Sequence, residues 1–148
     1  MTRRDAPEAG PLLAALALET SRRNGSAEQT AVYAERSLAA GLSTESLWDA
    51  VVVIAVAETL SRCDLLSRAE EVLNRLVSAA RARGATQIES AALSARAVVF
   101  HRAGQLLDAE ADARLALNGI EHRRGLSVLP TRVLQGIGRH QRQLKALG

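Results

Sequence analysis

Sliding the 148-residue sequence by forty places brings a series of positions into register, and this internal repeat constrains the fold more than any other feature of the chain. Ala17, Ala57 and Ala97 align, as do Arg22, Arg62, Arg102 and Arg142. Between them fall Asn24, Asp64 and Gly104, three residue types that favour turns. The following stretch repeats as well, with Leu66 matching Leu106 and Ala69-Glu70 matching Ala109-Glu110. Each unit therefore reads as a helix, a tight turn and a second helix.

Composition agrees with helices. Hydrophobic residues make up 47% of the chain, but aromatics only 2%, namely Tyr33, Trp48 and Phe100. The core must then be built from Ala, Leu and Val, and strand-forming aromatic and β-branched residues are too sparse to suggest sheets. A chain of this length buries about two thirds of its unfolded surface on folding, enough for one domain.

Start and stop signals place seven helices at approximately 11–23, 27–40, 45–62, 66–82, 87–102, 106–119 and 128–146. Ser26 with Gln29 and Thr86 with Glu89 have capping-box spacing, and Ser43 or Thr44 with Glu45 offers a third start. Gly41, Gly84 and Gly104 stand where helices should stop. The third helix is apolar almost all round from Val51 to Ala57, so it is expected to be the most buried. In the sixth, Leu106, Ala109, Ala113, Ala116 and Leu117 make a narrow stripe of mostly small residues, which lets a helix pair approach closely.

The seventh helix is a first helix without a partner. Leu126, Leu129, Val133, Ile137 and Leu144 supply its inward stripe, and Pro130 falls in its first turn, where a missing amide proton costs little. Gly136 and Gly138 should loosen it, and with no preceding strand they do not make a dinucleotide loop. The expected organisation is a polar tail over 1–10 and one all-α helical-repeat domain over 11–148. Its architecture is an antiparallel helix-pair solenoid of three pairs plus a C-terminal capping helix.

Several functional classes are disfavoured. A single cysteine, Cys63, excludes an internal disulfide and a zinc thiolate cluster, and a reducing cytoplasm is the default location. His101, His122 and His140 match no metal-ligand spacing, so no metal and no cofactor is expected. The apolar run Pro11 to Leu18 follows acidic residues unsuited to a signal peptide. Ala50 to Ala57 is far shorter than the roughly 20 residues that cross a bilayer, so no membrane association is expected.

Charge is unevenly divided. Residues 1–113 carry twelve arginines against fifteen acids, whereas residues 114–148 carry seven basic residues against one acid. Such an end suits a polyanion or an acidic protein surface, and equally a solvated helix face. Arg132, Arg139 and Arg142, with Lys145 near, form the candidate basic face. No aromatic stacking residue accompanies them, which argues against nucleic acid as the partner.

The segment 95–117, ARAVVFHRAGQLLDAEADARLAL, resembles a tetratricopeptide unit, with Gly104 at the turn and Ala109 and Ala116 at its small packing positions. With Ala69 to Gly84 and Ala34 to Leu42 it resembles the helical-repeat region of the large ATP-binding LuxR-type transcriptional regulators of high-GC bacteria. The resemblance spans about residues 34–118. It implies an effector-sensing or adaptor role between an ATPase and a helix-turn-helix. Neither neighbour is represented in these residues, since the only lysine, Lys145, precedes Ala146 and no GxxxxGK[ST] phosphate loop exists.

Tetratricopeptide arrays hold ligands on the concave surface lined by the first helix of each unit. The resemblance therefore nominates Val51, Ile54, Glu58 and Ser61 in the second unit and Ala91, Ser94, Val98 and His101 in the third. Glu58, Ser61, Ser94 and His101 would supply the polar groups that orient a ligand in an apolar groove. Cys63 aligns with Ala103 and is expected to be a packing residue, not a nucleophile.

With no catalytic constellation in view, the chain is expected not to be an enzyme. The leading expectation is a protein-interaction or effector-sensing scaffold, linked to transcriptional regulation, that binds a protein, a peptide or a small effector. The alternatives are a self-associating structural module and, less favoured, a basic nucleic-acid-binding protein.

Overall fold

The computed structural model describes residues 9–124 together with 145 and 146. Six helices succeed one another: α1 (Ala9–Arg22), α2 (Ala27–Ala39), α3 (Leu47–Arg62), α4 (Leu66–Ala82), α5 (Thr86–Arg102) and α6 (Leu106–Arg124). No strand occurs among the described residues. The seventh helix expected over 128–146 lies outside them, apart from Lys145 and Ala146, which are helical. The same holds for Arg132, Arg139, Arg142 and the Gly136 and Gly138 pair.

The forty-residue spacing is written into the backbone. Asn24, Asp64 and Gly104 all have positive φ, at 55°, 61° and 77°. At each of these turns the next amide reaches back over the helix end. Gly25 donates to the Thr20 carbonyl at 2.9 Å, Leu65 to Leu60 at 3.0 Å and Gln105 to Phe100 at 2.9 Å. This is the Schellman closure, which satisfies carbonyls that the helix end leaves unpaired. Asn, Asp and Gly are the residues that enter the left-handed region most readily, so the sequence selects the turn.

Each helix packs against its sequence neighbour, and α3 additionally meets both α1 and α5. The first helices of the three pairs thus lie in one row, with α3 flanked by α1, α2, α4 and α5. Its Val56, Ala57 and Leu60 are at most 1% exposed and join Leu73, Leu76, Val77 and Val99 in one apolar core. At 25 cal/mol per Å2, each fully buried Leu or Val contributes about 1.5–3 kcal/mol. The core is nevertheless one-sided on α3. Leu47, Trp48 and Val51 are exposed, so a helix apolar all round is not buried all round.

Several boundaries differ from the sequence expectation for physical reasons. α1 begins inside the expected tail because Gly10 is buried, its carbonyl accepting from Ser37 Oγ at 2.8 Å. A Cβ at Gly10 would stand 2.8 Å from Leu42 Cδ2, so a larger residue there would make the Leu42 side chain shift. The third helix starts two residues late, capped by Ser46 and not by Ser43 or Thr44. Ser46 Oγ accepts from the Asp49 amide while the Asp49 carboxylate accepts from the Ser46 amide, both at 3.0 Å. At α2, Ser26 Oγ accepts from the Gln29 amide at 3.0 Å. At α5, Thr86 is no cap: Ala85 occupies that position, and Glu89 turns away to an ion pair with Arg81 of α4 at 2.8 Å.

Charged side chains tie the pairs together. Arg68 of α4 grips Glu35 of α2 with two hydrogen bonds of 2.8 and 3.0 Å, although these two helices make no close backbone approach. Arg96 of α5 binds both Asp112 oxygens of α6 at 2.6 and 2.9 Å. It also reaches Asn74 Oδ1 of α4 at 2.9 Å and lies 5.5 Å from the centre of the Phe100 ring. The carboxylate of Asp112 raises the Arg96 pKa further above its ordinary value.

Candidate functional site: an open groove between the fifth and sixth helices

The small-residue stripe of α6 divides between two surroundings. Ala116 is 2% exposed and packs inward with Asp112, and Gly119 allows the two helices to close on Ser90. Ala109, Ala113 and Leu117 instead wall an open groove of about 430 Å3, whose other wall is Ser94, Ala97, Val98 and His101 of α5. The stripe thus has a buried member, Ala116, and members facing the groove, Ala109, Ala113 and Leu117.

The groove is apolar, with two polar groups on the α5 wall. Ser94 Oγ donates to the Ser90 carbonyl one turn back at 3.0 Å, a local bond that holds its rotamer. The His101 imidazole is exposed. Val98, between them, is 57% exposed despite its apolar side chain.

The eight residues nominated for a ligand surface do not share one cavity. Ser94, Val98 and His101 come together in this groove, whereas Val51, Ile54, Glu58, Ser61 and Ala91 do not line it. Val51 and Glu58 are exposed on α3, Ile54 packs against the core, and Ala91 is half-buried. Ser61 is 2% exposed, and its Oγ accepts from Arg102 Nη1 at 3.2 Å, which places it in the seam between α3 and α5. Sequence reasoning passed over Trp48, which is 71% exposed beside Leu47 and Val51, and the wall residues Ala97 and Ala113.

Further concavities lie among the described residues. One of about 460 Å3 lies along α1 and α2, lined by Leu12, Leu13, Leu16, Arg36, Ala39 and Ala40. Another of about 300 Å3 enters between α2 and α4 beside Leu38, Leu42, Val53, Val72 and Leu76. The charges around the latter, Glu35, Arg68 and Arg75, are engaged in ion pairs with one another and with Glu71.

Cys63 closes α3, and partial burial, reinforced by the neighbouring Asp64 charge, pushes its thiol above the ordinary value. A thiol shifted that way holds little thiolate, the form that attacks electrophiles and binds metals. Among the described residues no three His, Cys, Asp or Glu side chains converge as a metal site. Among them, too, no helix is long and apolar enough to cross a membrane. No protein-family profile, curated protein or solved structure matches the chain.

Proposed function

We propose that this chain is a non-catalytic, tetratricopeptide-like solenoid that holds a protein or peptide partner, or senses an effector, by shape complementarity. The resemblance to LuxR-type regulators supports a link of that work to transcriptional regulation. The row formed by α1, α3 and α5 supports the solenoid reading, because contacts between alternate helices are what stacked helix pairs produce.

The observation that carries the reading is the open α5/α6 groove. Its walls Ala97, Ala109, Ala113 and Leu117 stand at the repeat positions that Ala57, Ala69, Leu73 and Val77 occupy one unit earlier, all of them at most 2% exposed. A surface built like a core that no described residue covers fits a docking surface, and binding there removes apolar area from water. Ser94 and His101 would orient the partner.

The test uses a partner captured from a lysate of the source organism, identified, purified and titrated by calorimetry. Val98→Glu is expected to weaken binding at least tenfold, equivalent to about 1.4 kcal/mol, while Arg75→Gln on α4 leaves it unchanged. Equal binding by both variants would sink the reading. So would turnover of a substrate that Ser94→Ala or His101→Ala abolishes without affecting affinity.

A further inference from the structure

We infer that the α5/α6 groove receives the α1/α2 end of a second copy of this chain, so that molecules stack head to tail. The inference rests on the docking reading of that groove and names its occupant. Both halves of the contact are visible, because the chain already makes the same kind of contact twice within itself: α3 against α1 and α2, and α5 against α3 and α4.

The forty-residue register identifies what each end is missing. In the second pair, where α5 packs on both α3 and α4, Ala57, Ala69 and Leu73 are fully buried. Their counterparts in the third pair, Ala97, Ala109 and Ala113, wall the open groove. At the other end, α1 is the counterpart of α3. Its Leu16 is 49% exposed, whereas Val56, forty residues later, is 1% exposed. Leu12 is 65% exposed, while Val52 is partly buried and Ala92 fully buried. Among the described residues α1 therefore bears uncovered the side that α3 and α5 bury, and α5 with α6 leaves open the kind of seat that α3 and α4 offer to α5.

One of the two internal seams carries a polar contact whose counterparts can be named at the inferred contact. Arg102 crosses the seam between α5 and α3 to reach Ser61. At the inferred contact the Arg102 position is taken by Arg22 of α1, and the Ser61 position by His101, which is exposed on the groove. The two surfaces are different patches of one molecule, so their contact is heterologous and does not close at two copies unless the rotation happens to close a ring.

The decisive measurement is the mass of the full-length chain by sedimentation velocity over a wide concentration range, with two variants altered only at exposed positions. One carries Leu12→Glu and Leu16→Glu, the other Val98→Glu and Ala113→Glu. The unaltered chain is expected to grow beyond a dimer as concentration rises. Each variant alone stays at monomer mass, and an equal mixture gives a one-to-one dimer and nothing larger, since each retains one good face. A second readout needs no loss of binding. Arg96 reaches Asn74 within the chain, so the same register sets Leu16 beside Arg114 of the neighbouring copy, and in a Cys63→Ser background Leu16→Cys mixed with Arg114→Cys is joined by a short bis-maleimide into a pair of unlike chains, beyond the like pairs each forms alone.

A chain that stays monomeric, forms a dimer that neither variant breaks, or gives only like pairs overturns the inference. Binding of the apolar dye 8-anilinonaphthalene-1-sulfonate then separates the two failures. Dye bound by the monomer and lost with Val98→Glu and Ala113→Glu means an open groove with another occupant, so the docking reading stands. Dye binding indifferent to those substitutions means a groove covered within the molecule, with residues 125–144 the available segment, and both fall.

Discussion

Removing the Asp112 carboxylate should destabilise the chain severely, and removing its partner as well should restore it. Arg96 and Asp112 have side chains 18% and 7% exposed and share two charge-assisted hydrogen bonds. Asp112→Ala leaves a largely buried guanidinium with Asn74 and the Phe100 face as its remaining partners. Breaking one side of a buried pair costs about 3–5 kcal/mol, and the retained contacts place this case near the lower end, about 3 kcal/mol. That is a large part of the roughly 5–15 kcal/mol that holds a domain folded. With a urea m-value of about 2 kcal/mol/M, the midpoint should fall by about 1.5 M.

The repeat itself supplies the apolar alternative. One unit earlier the two positions hold Val56 and Val72, which are 1% and 6% exposed and belong to the core. Arg96→Val combined with Asp112→Val should therefore unfold within about 1 kcal/mol of the unaltered chain, or later, because replacing a buried ion pair by packed apolar residues is often neutral or stabilising. Arg96→Val alone should again be costly, since it strands a buried carboxylate. Urea titration followed by circular dichroism measures all four corners of the cycle. If the double variant loses the sum of the two single losses, the pair is not a substitute for Val56 and Val72, and the register argument is wrong at this position.

Three further outcomes are expected. Gly104→Ala should lower stability by about 1–2 kcal/mol, because φ is 77° there and nothing lies within 4 Å of the added Cβ, so the cost is backbone strain; Asp64→Gly should be neutral or stabilising by urea titration. Gly119→Ala forces its Cβ against Ser90 Oγ and should cost about 1–3 kcal/mol, with Ser90→Ala restoring much of the loss, since the Ser90 Cβ lies at an ordinary 3.6 Å. The Asp49 carboxyl, held below its ordinary value of 3.8 by hydrogen bonds from the Ser46 side chain and backbone, should titrate low in a carboxyl NMR pH series. A depressed folded value means a contribution to stability that is present above the unfolded value and lost as pH falls through the folded one. Ser46→Ala should move the titration up, and an unshifted Asp49 would contradict the capping box.

The parts of the fold legible in sequence are those fixed by local chemistry. Asn24, Asp64 and Gly104 announce left-handed turns because few other residues enter that region cheaply, and all three are found there. The start of α3 is a near miss of the same kind. Ser43, Thr44 and Ser46 can all cap, but only Ser46 has an acid three residues on that closes the reciprocal bond. Thr86 and Glu89 fail for a reason outside their own helix. Arg81, on α4, takes the carboxylate that a capping box would need. Likewise Gly10 reads as tail until Ser37 and Leu42, far along the chain, pack against it.

The candidate site was less legible because burial is decided by the neighbour. Ala69 and Ala109 occupy the same repeat position with the same side chain, yet one is fully buried and the other walls a groove. No propensity or periodicity distinguishes them, since both signal only that a helix has an apolar stripe and neither says what faces it. Ser61 shows the converse. It shares a repeat position with His101 and was nominated with it, but α5 stands over Ser61 and supplies Arg102, whereas His101 is exposed. In a repeat chain, then, the informative comparison is between equivalent positions in successive units. A repeat position that stays apolar while its exposure rises marks a face left without a neighbour among the described residues, as Leu16 against Val56 and Ala113 against Leu73 do.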